Sequence, residues 1–404
     1  SSVKGEDLWN LSYNDPVRAL TGKMAGVLVL NTSGEPGAMP GLKIRGFSSF
    51  IRDTEPLFIV DGLRVKDVQY LAPEMIESIE VLKGAAVALY GAEAGEGAVI
   101  IHTRKGKGGK GHVFYRNEFS LASLAHKSRM MDASQYIDFA KEYGLGQYIK
   151  DVNSGVGTDW LGAGTEPSWN SRHTFGVQGG NDKGAYFVSA SVIGNDGIFA
   201  GDKDRYNRMS AQVNGSYQLT PWLRLSTSNS LEKHKGSTIM TGTYDTQSPF
   251  ISAMVAPPIR PVTVDKDGLT SNQIQYLGGD GSELAKDSYS GLYLADLFVS
   301  MPGHPFLRRD YWSRSYDGYS LRGMSSAVFT PLSGLEISAK LGYFRDRSTS
   351  LMEVTPFYYD FINHADYRDT ENTDDEYSGY QGDLTVSYNR DFGKHRIEAM
   401  AGGE

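Results

Sequence analysis

Cysteine is absent from all 404 residues. Disulfide bridges, thiolate metal ligands and cysteine nucleophiles are therefore excluded, and the absence suits an exported chain that avoids stray disulfides in an oxidising compartment. Also missing is any run of ~20 apolar residues, the length of a membrane-spanning helix. A helical membrane protein is excluded, but a membrane barrel is not, because its strands of about ten residues place apolar side chains only at every second position. Positive charge is in deficit: the formal net charge is −8, which argues against nucleic acid as a partner. The first residues, Ser1-Ser2-Val3-Lys4, carry no basic and apolar leader pattern, so the chain is either cytoplasmic or begins downstream of an export signal.

Enzyme signatures are scarce as well. The sequence has no phosphate-binding lysine loop and no HExxH pair, and its eight histidines are scattered, so no catalytic role and no cofactor are expected. Gly106-Lys107-Gly108-Gly109-Lys110-Gly111 matches a dinucleotide fingerprint by letter. It leads into a strand from His112, not into a helix whose N-terminus would face a pyrophosphate. These glycines read as a flexible linker.

What is present divides at about residue 108. Residues 1–108 read as a compact mixed α/β unit. Asp15-Pro16 followed by Val17, Leu20, Met24 and Val27 predicts a helix ending near Gly26. Residues 42–45, 57–60, 78–82 and 98–103 read as strands. Pro73-Glu74 suits the first turn of a short helix, and the glycines of residues 91–97 predict a sharp turn into the last strand.

From about residue 112 the pattern becomes strict period-two alternation. Met209, Ala211, Val213, Gly215, Tyr217 and Leu219 share one face, with Arg208, Ser210, Gln212, Asn214, Ser216 and Gln218 opposite. Nine strands are predicted, at about 112–120, 171–180, 184–193, 207–219, 222–232, 319–330, 335–346, 380–390 and 394–403. Their connections alternate, short turns with long links at about 121–170, 194–206, 233–318 and 347–379. A soluble sandwich has no reason to gather every long loop at one end; outer-membrane barrels have short periplasmic turns and long external loops. Nine strands cannot close an even-numbered barrel, and an open edge in lipid costs several kcal/mol per unpaired group. Residues 109–404 are therefore expected to be an incomplete barrel portion of something larger.

Six ordered segments of the first unit carry a resemblance: residues 19–27 (ALTGKMAGV), 44–49 (IRGFSS), 55–62 (EPLFIVDG), 76–84 (IESIEVLKG), 88–91 (ALYG) and 97–101 (GAVII). Together they resemble the SusC family of TonB-dependent transporters, also called SusC/RagA-type. That resemblance implies a mixed α/β plug domain over residues 1–108, followed by the first antiparallel transmembrane strands of a 22-stranded β-barrel. It implies energised import of a bulky nutrient, an oligosaccharide or an oligopeptide, across the outer membrane of a Gram-negative, Bacteroidetes-like bacterium. Its implied partners are the inner-membrane TonB complex, a SusD-like surface lipoprotein and outer-membrane lipid. No TonB box precedes Leu8, so the coupling element is expected upstream. Two alternatives stand beside this reading: a structural or adhesive barrel that does not transport, and a secreted β-rich carbohydrate-binding module.

Under the resemblance, Arg45, Glu77, Glu80, Lys83 and Arg104 are the plug charges expected to pair with the wall and gate release; salt bridges internal to the plug are the simpler role. Aromatic rings stack on sugar faces and peptide side chains, which makes Phe47, Phe50, Trp160, Trp169, Tyr244, Tyr311, Trp312, Tyr358 and Tyr359 candidate substrate contacts. Loop packing or a membrane-interface girdle is the competing role for each. Asp369, Glu371, Asp374 and Asp375 supply hard oxygen ligands for Ca²⁺ or Mg²⁺ on an expected external loop, although most acidic loop tips are simply hydrated.

Overall fold

The computed structural model describes residues 2–9, 15–31, 33–46, 55–149, 157–201, 203–239, 248–275, 284–297, 303–393 and 395–404. The first unit holds β1 (Ser2–Lys4), β2 (Val27–Leu30), β3 (Gly41–Ile44), β4 (Leu57–Val60), β5 (Leu63–Val65), β6 (Ile76–Leu82) and β7 (Ala98–Thr103). Five of them form one sheet in the order β1-β6-β7-β4-β5, with β4 and β7 parallel, while β2 and β3 form a separate hairpin. β4 and β7 are apolar on both faces because both faces are covered. Phe58, Val99 and Ile101 join Leu8, Leu20, Leu42 and Ile79 on one side, and Ile59, Ala98 and Ile100 meet Val87 and Ala94 on the other.

The helix expected after Asp15-Pro16 does not form. Asp15 Oδ1 accepts the amides of Val17 at 2.6 Å and Arg18 at 3.2 Å, but the chain then makes only a single 3-10 turn, Arg18–Leu20. Gly22 and Gly26 have φ of +71° and +68°, the left-handed region that interrupts a helix. The glycine-rich residues 91–97 also hold a 3-10 turn, Ala92–Ala94, before β7.

The second region is an antiparallel meander. β8 (Gly109–Ala122), β9 (Ser168–Gly180), β10 (Gly184–Asp196), β11 (Arg205–Thr220) and β12 (Leu223–Thr238) come first. β13 (Thr263–Val264) and β14 (Tyr293–Leu294) pair within a long connection, before β15 (Trp312–Leu332) and β16 (Leu335–Val354). β17 (Phe357–Tyr358) and β18 (His364–Ala365) pair in the next connection, before β19 (Asp369–Phe392) and β20 (His395–Gly403). The nine long strands form one open sheet, β8-β9-β10-β11-β12-β15-β16-β19-β20. They are the nine strands the alternation predicts, but most run further at the long-loop end. β10 has 13 residues, β11 16, β15 21 and β19 24. The acidic stretch expected as an external loop is the first part of β19, with Asp369 opposite Val354 and Asp374 opposite Thr349.

The sheet is inverted relative to a soluble protein. On β11, Met209, Val213, Tyr217 and Leu219 are exposed, while Arg208, Ser210, Gln212 and Asn214 are buried. The plug covers that polar face: Asn214 Nδ2 donates to Thr103 Oγ1 and to the Arg104 carbonyl, both at 2.7 Å. The glycine linker is more constrained than its composition suggests. β8 already begins at Gly109, and Gly106 lies so close to the wall that a Cβ there would overlap the backbone of Tyr186.

At the other end, the long connections fold into a layer with two apolar clusters. One contains Leu294, Phe306, Phe357 and Tyr359; the other contains Trp160, Leu161, Ala253 and Leu297.

Candidate functional site

The contact between plug and wall concentrates the buried charge. Val60 and Leu63 pair across a two-residue turn, Asp61-Gly62, whose φ values of +50° and +97° are those of a type I′ hairpin. The turn aims Asp61 at the wall, where Ser228 Oγ donates to its Oδ2 at 2.6 Å. Its Oδ1 accepts the Thr103 amide at 3.0 Å. Beside it, Gln381 Nε2 of β19 donates to the Gly62 carbonyl at 3.0 Å.

Two ionic clusters flank this centre. Pro73 opens a 3-10 turn, Pro73–Met75, that carries Glu74 to the wall. Glu74 Oε1 lies 3.4 Å from Arg172 Nη2 and 4.0 Å from Arg116 Nη1, and Arg172 Nη2 also meets Glu118 Oε2 at 2.6 Å. In the second cluster Arg322 Nη2 is 3.1 Å from Asp67 of the plug and 2.7 Å from Asp346, with Glu232 at 3.8 Å from Nη1. The Arg322 guanidinium also covers the Tyr70 ring at 4.3 Å. Between the clusters, Arg208 donates to the Gln69 carbonyl. A cavity of about 450 Å³ opens between plug and wall at the short-turn end, lined by Asp61, Arg64, His102, Lys340, Gln381 and Asp383 among others.

Of the plug charges named from the sequence, Arg104 reaches the wall. Its guanidinium sits among the rings of Trp9, Phe114 and Phe187 at 4.8, 5.5 and 5.3 Å, and donates to Gln178 Oε1 at 3.3 Å. Burial there pulls it below the ordinary guanidinium value, against the opposing field of Glu77. The described contacts of the other four stay within the plug. Lys83 donates to the Ala25 carbonyl, the Arg45 amide to the Gly26 carbonyl, the Gly5 amide to the Glu77 carbonyl, and Glu80 faces Ser2 in the ladder of β1 and β6.

The candidate aromatic residues scatter. Trp160 is 3% exposed and donates to the Pro257 carbonyl, and the Tyr359 hydroxyl donates to the Ala295 carbonyl, both at 3.0 Å. Tyr311 and Trp312 pack on Phe357, and Tyr358 stacks on His364. All five belong to the packed layer of long connections. Trp169 is 69% exposed, at a position of β9 that shares its face with Phe175, on the outer side of the wall. Phe47, Phe50 and Tyr244 lie outside the described residues.

The four acidic candidates do not converge. On β19 the alternation sets Asp369, Glu371 and Asp375 on one face and Asp374 on the other, where Arg347 holds Asp374 at 2.7 Å. Among the described residues no three His, Asp or Glu side chains are grouped to hold a metal ion.

Sequence reasoning passed over Glu74, Asp67, Arg172 and Arg322. The signal for the two arginines was strand phase. Arg172 shares its face with Thr174 and Gln178, and Arg322 shares its face with Ser320 and Met324, so both are placed on the plug side.

The TonB-dependent Receptor Plug Domain family matches residues 1–98. TonB-dependent receptor SusC of Bacteroides thetaiotaomicron is 26% identical, over 100% of this chain and 40% of its own length. TonB-dependent receptor P39 of Formosa agariphila is 25% identical, over 99% of this chain and 36% of its own length. The structure of the RagAB peptide transporter shares the fold, with a TM-score of 0.80 and 20% identity, over 100% of this chain and 47% of that one. The chain thus spans about two-fifths of the curated relatives it matches. Residues 1–98 thus match the plug domain of TonB-dependent receptors, and the chain as a whole is similar to SusC/RagA-type receptors over their plug and the N-terminal part of their barrel.

Proposed function

We infer that the complete protein is a TonB-dependent importer of the outer membrane. It admits a bulky solute, an oligosaccharide or an oligopeptide, past a plug seated in the barrel, with a SusD-like lipoprotein over the outer mouth. The observation that carries this reading is the inverted sheet, whose polar face is closed by the plug while its apolar face is bare. An apolar outer band is what lipid requires of a spanning barrel, and a plug held by polar contacts can be withdrawn without exposing a hydrophobic core. The curated relatives are named as TonB-dependent receptors, and RagAB is described as a peptide transporter, which supports import rather than catalysis.

The test is uptake of labelled oligosaccharides and peptides by cells carrying the full-length receptor. Collapse of the proton-motive force, or loss of TonB, should abolish it. Entry unaffected by either would overturn the reading in favour of a barrel that does not transport.

A further inference from the structure

Glu74 sits in a wall site that fits it poorly. Among the described residues its Oε1 has no hydrogen bond and faces Arg172 and Arg116 at 3.4 and 4.0 Å, while Oε2 receives the Thr174 hydroxyl at 3.5 Å. Well-formed pairs of this kind close to ~2.7–2.9 Å, so every contact is stretched. The side chains of Glu74 and Arg172 are only 3% and 2% exposed, a setting in which poor pairing is not relieved by water. On the wall, Glu118 of β8 grips Arg172 at 2.6 Å, while Arg116 Nη1 is held from the plug side by the Trp9 carbonyl at 2.8 Å. Among the described ion pairs, these two arginines share Glu118 of the wall and Glu74 of the plug.

We propose that Arg172, Arg116 and Thr174 form a carboxylate-binding site on the lumen wall, occupied at rest by Glu74 as a tethered ligand and taken over by a free carboxylate when the plug shifts. A ligand not tied to the plug backbone is free to adopt the two-oxygen geometry that Glu74 misses. The consequence for transport rests on the import reading. Cargo bearing a carboxylate, whether a peptide C-terminus or a uronic acid, competes with Glu74 and loosens the plug from β8 and β9.

Acetate is the probe, on the purified full-length receptor in detergent. In Glu74→Ala the melting temperature should rise by roughly 3 °C or more as sodium acetate replaces sodium chloride up to roughly 200 mM, the behaviour of a ligand that binds the folded state. The parent and the Glu74→Ala/Arg172→Gln variant should stay level. Equal responses to acetate and chloride, or an undiminished response in the double variant, overturn the site. Should Glu74→Ala fail to assemble, the volume-conserving Glu74→Gln carries the same titration, with a smaller rise expected and a flat response counting against the site.

Uptake then separates the sources: a free-acid peptide against its C-terminal amide, and a uronate oligomer against its neutral counterpart. An acid preference that disappears in Arg172→Gln supports the cargo role and names the source; no preference in either pair overturns that role. The acetate titration depends on the site alone, so its failure is distinguishable from a failure of the import reading, which shows as uptake indifferent to the proton-motive force.

Discussion

Removing the cation of the second ionic cluster tests how the plug is held. Arg322 is 3% exposed and serves Asp346 at 2.7 Å, Asp67 at 3.1 Å and Glu232 at 3.8 Å. Arg322→Met strands three carboxylates, and stranding a buried partner costs about 3–5 kcal/mol. Asp67→Asn takes away only the plug's acid. That side chain is 36% exposed and Arg322 keeps two wall carboxylates, so a screened loss of about 1 kcal/mol is expected. Once Asp67 is an amide it no longer suffers from the missing cation, and the double variant should fall short of the summed losses by about 1 kcal/mol. Denaturant titration of the full-length receptor measures all four corners of this cycle, with Trp9 fluorescence reporting the plug and circular dichroism reporting the strands. The Asp67→Asn midpoint should drop in the Trp9 signal and hold in the strand signal. Additivity within about 0.3 kcal/mol, or equal losses in the two single variants, would refute the coupling.

Other perturbations test the remaining surfaces. Arg104→Ala removes the cation from among Trp9, Phe114 and Phe187, a loss of about 1–2 kcal/mol, and limited proteolysis should release the plug sooner than in the parent. Val213→Arg places a charge on the bare apolar face and should cost about 2–4 kcal/mol of folding into lipid vesicles; an unchanged folding yield would contradict the lipid-facing assignment. Burial pushes the Asp204 carboxyl up to about 7, above its ordinary range, so the stability it contributes is full at low pH and is lost as pH rises through about 7. Protease cleavage of the connection 197–204 should therefore increase between pH 6 and 8 in the parent and stay level in Asp204→Asn.

Strand number, order and facing were legible because alternation reports on two different solvents. Met209, Val213 and Tyr217 need apolar surroundings while Ser210, Gln212 and Asn214 do not, and the phase between them is set by the pleat alone. Strand ends were less legible. Where β19 leaves the apolar band both of its faces meet water, the alternation vanishes, and Asp369 to Glu376 read as a loop until the ladder with β16 is seen. The helix after Pro16 failed for a local reason, since two left-handed glycines outweigh a run of correctly spaced apolar residues. Contacts between plug and wall were the hardest to foresee. Phase tells that Thr174 and Arg172 face the plug, but not the height at which Glu74, a hundred residues earlier than Thr174, meets them. The four charges named from inside the matching segments, Arg45, Glu77, Glu80 and Lys83, keep to the plug, while Arg104, Glu74 and Asp67, which reach the wall, lie outside those segments; Asp61 lies inside one and reaches Ser228, but was not singled out.

The unequal strands also record how the wall closes. β19 exceeds β10 by eleven residues. Followed across the ladder, the row of Asp196 meets β19 at Asn372, three residues from its outer end, and the row of Gly184 meets it at Leu384, eight residues from its short-turn end. At ~3.3 Å per residue the overhangs are about 10 Å on one side and about 26 Å on the other. A stagger that grows from strand to strand is the shear by which a closing sheet tilts its strands against the barrel axis, so the curvature of the complete wall is already written into the register of these nine strands.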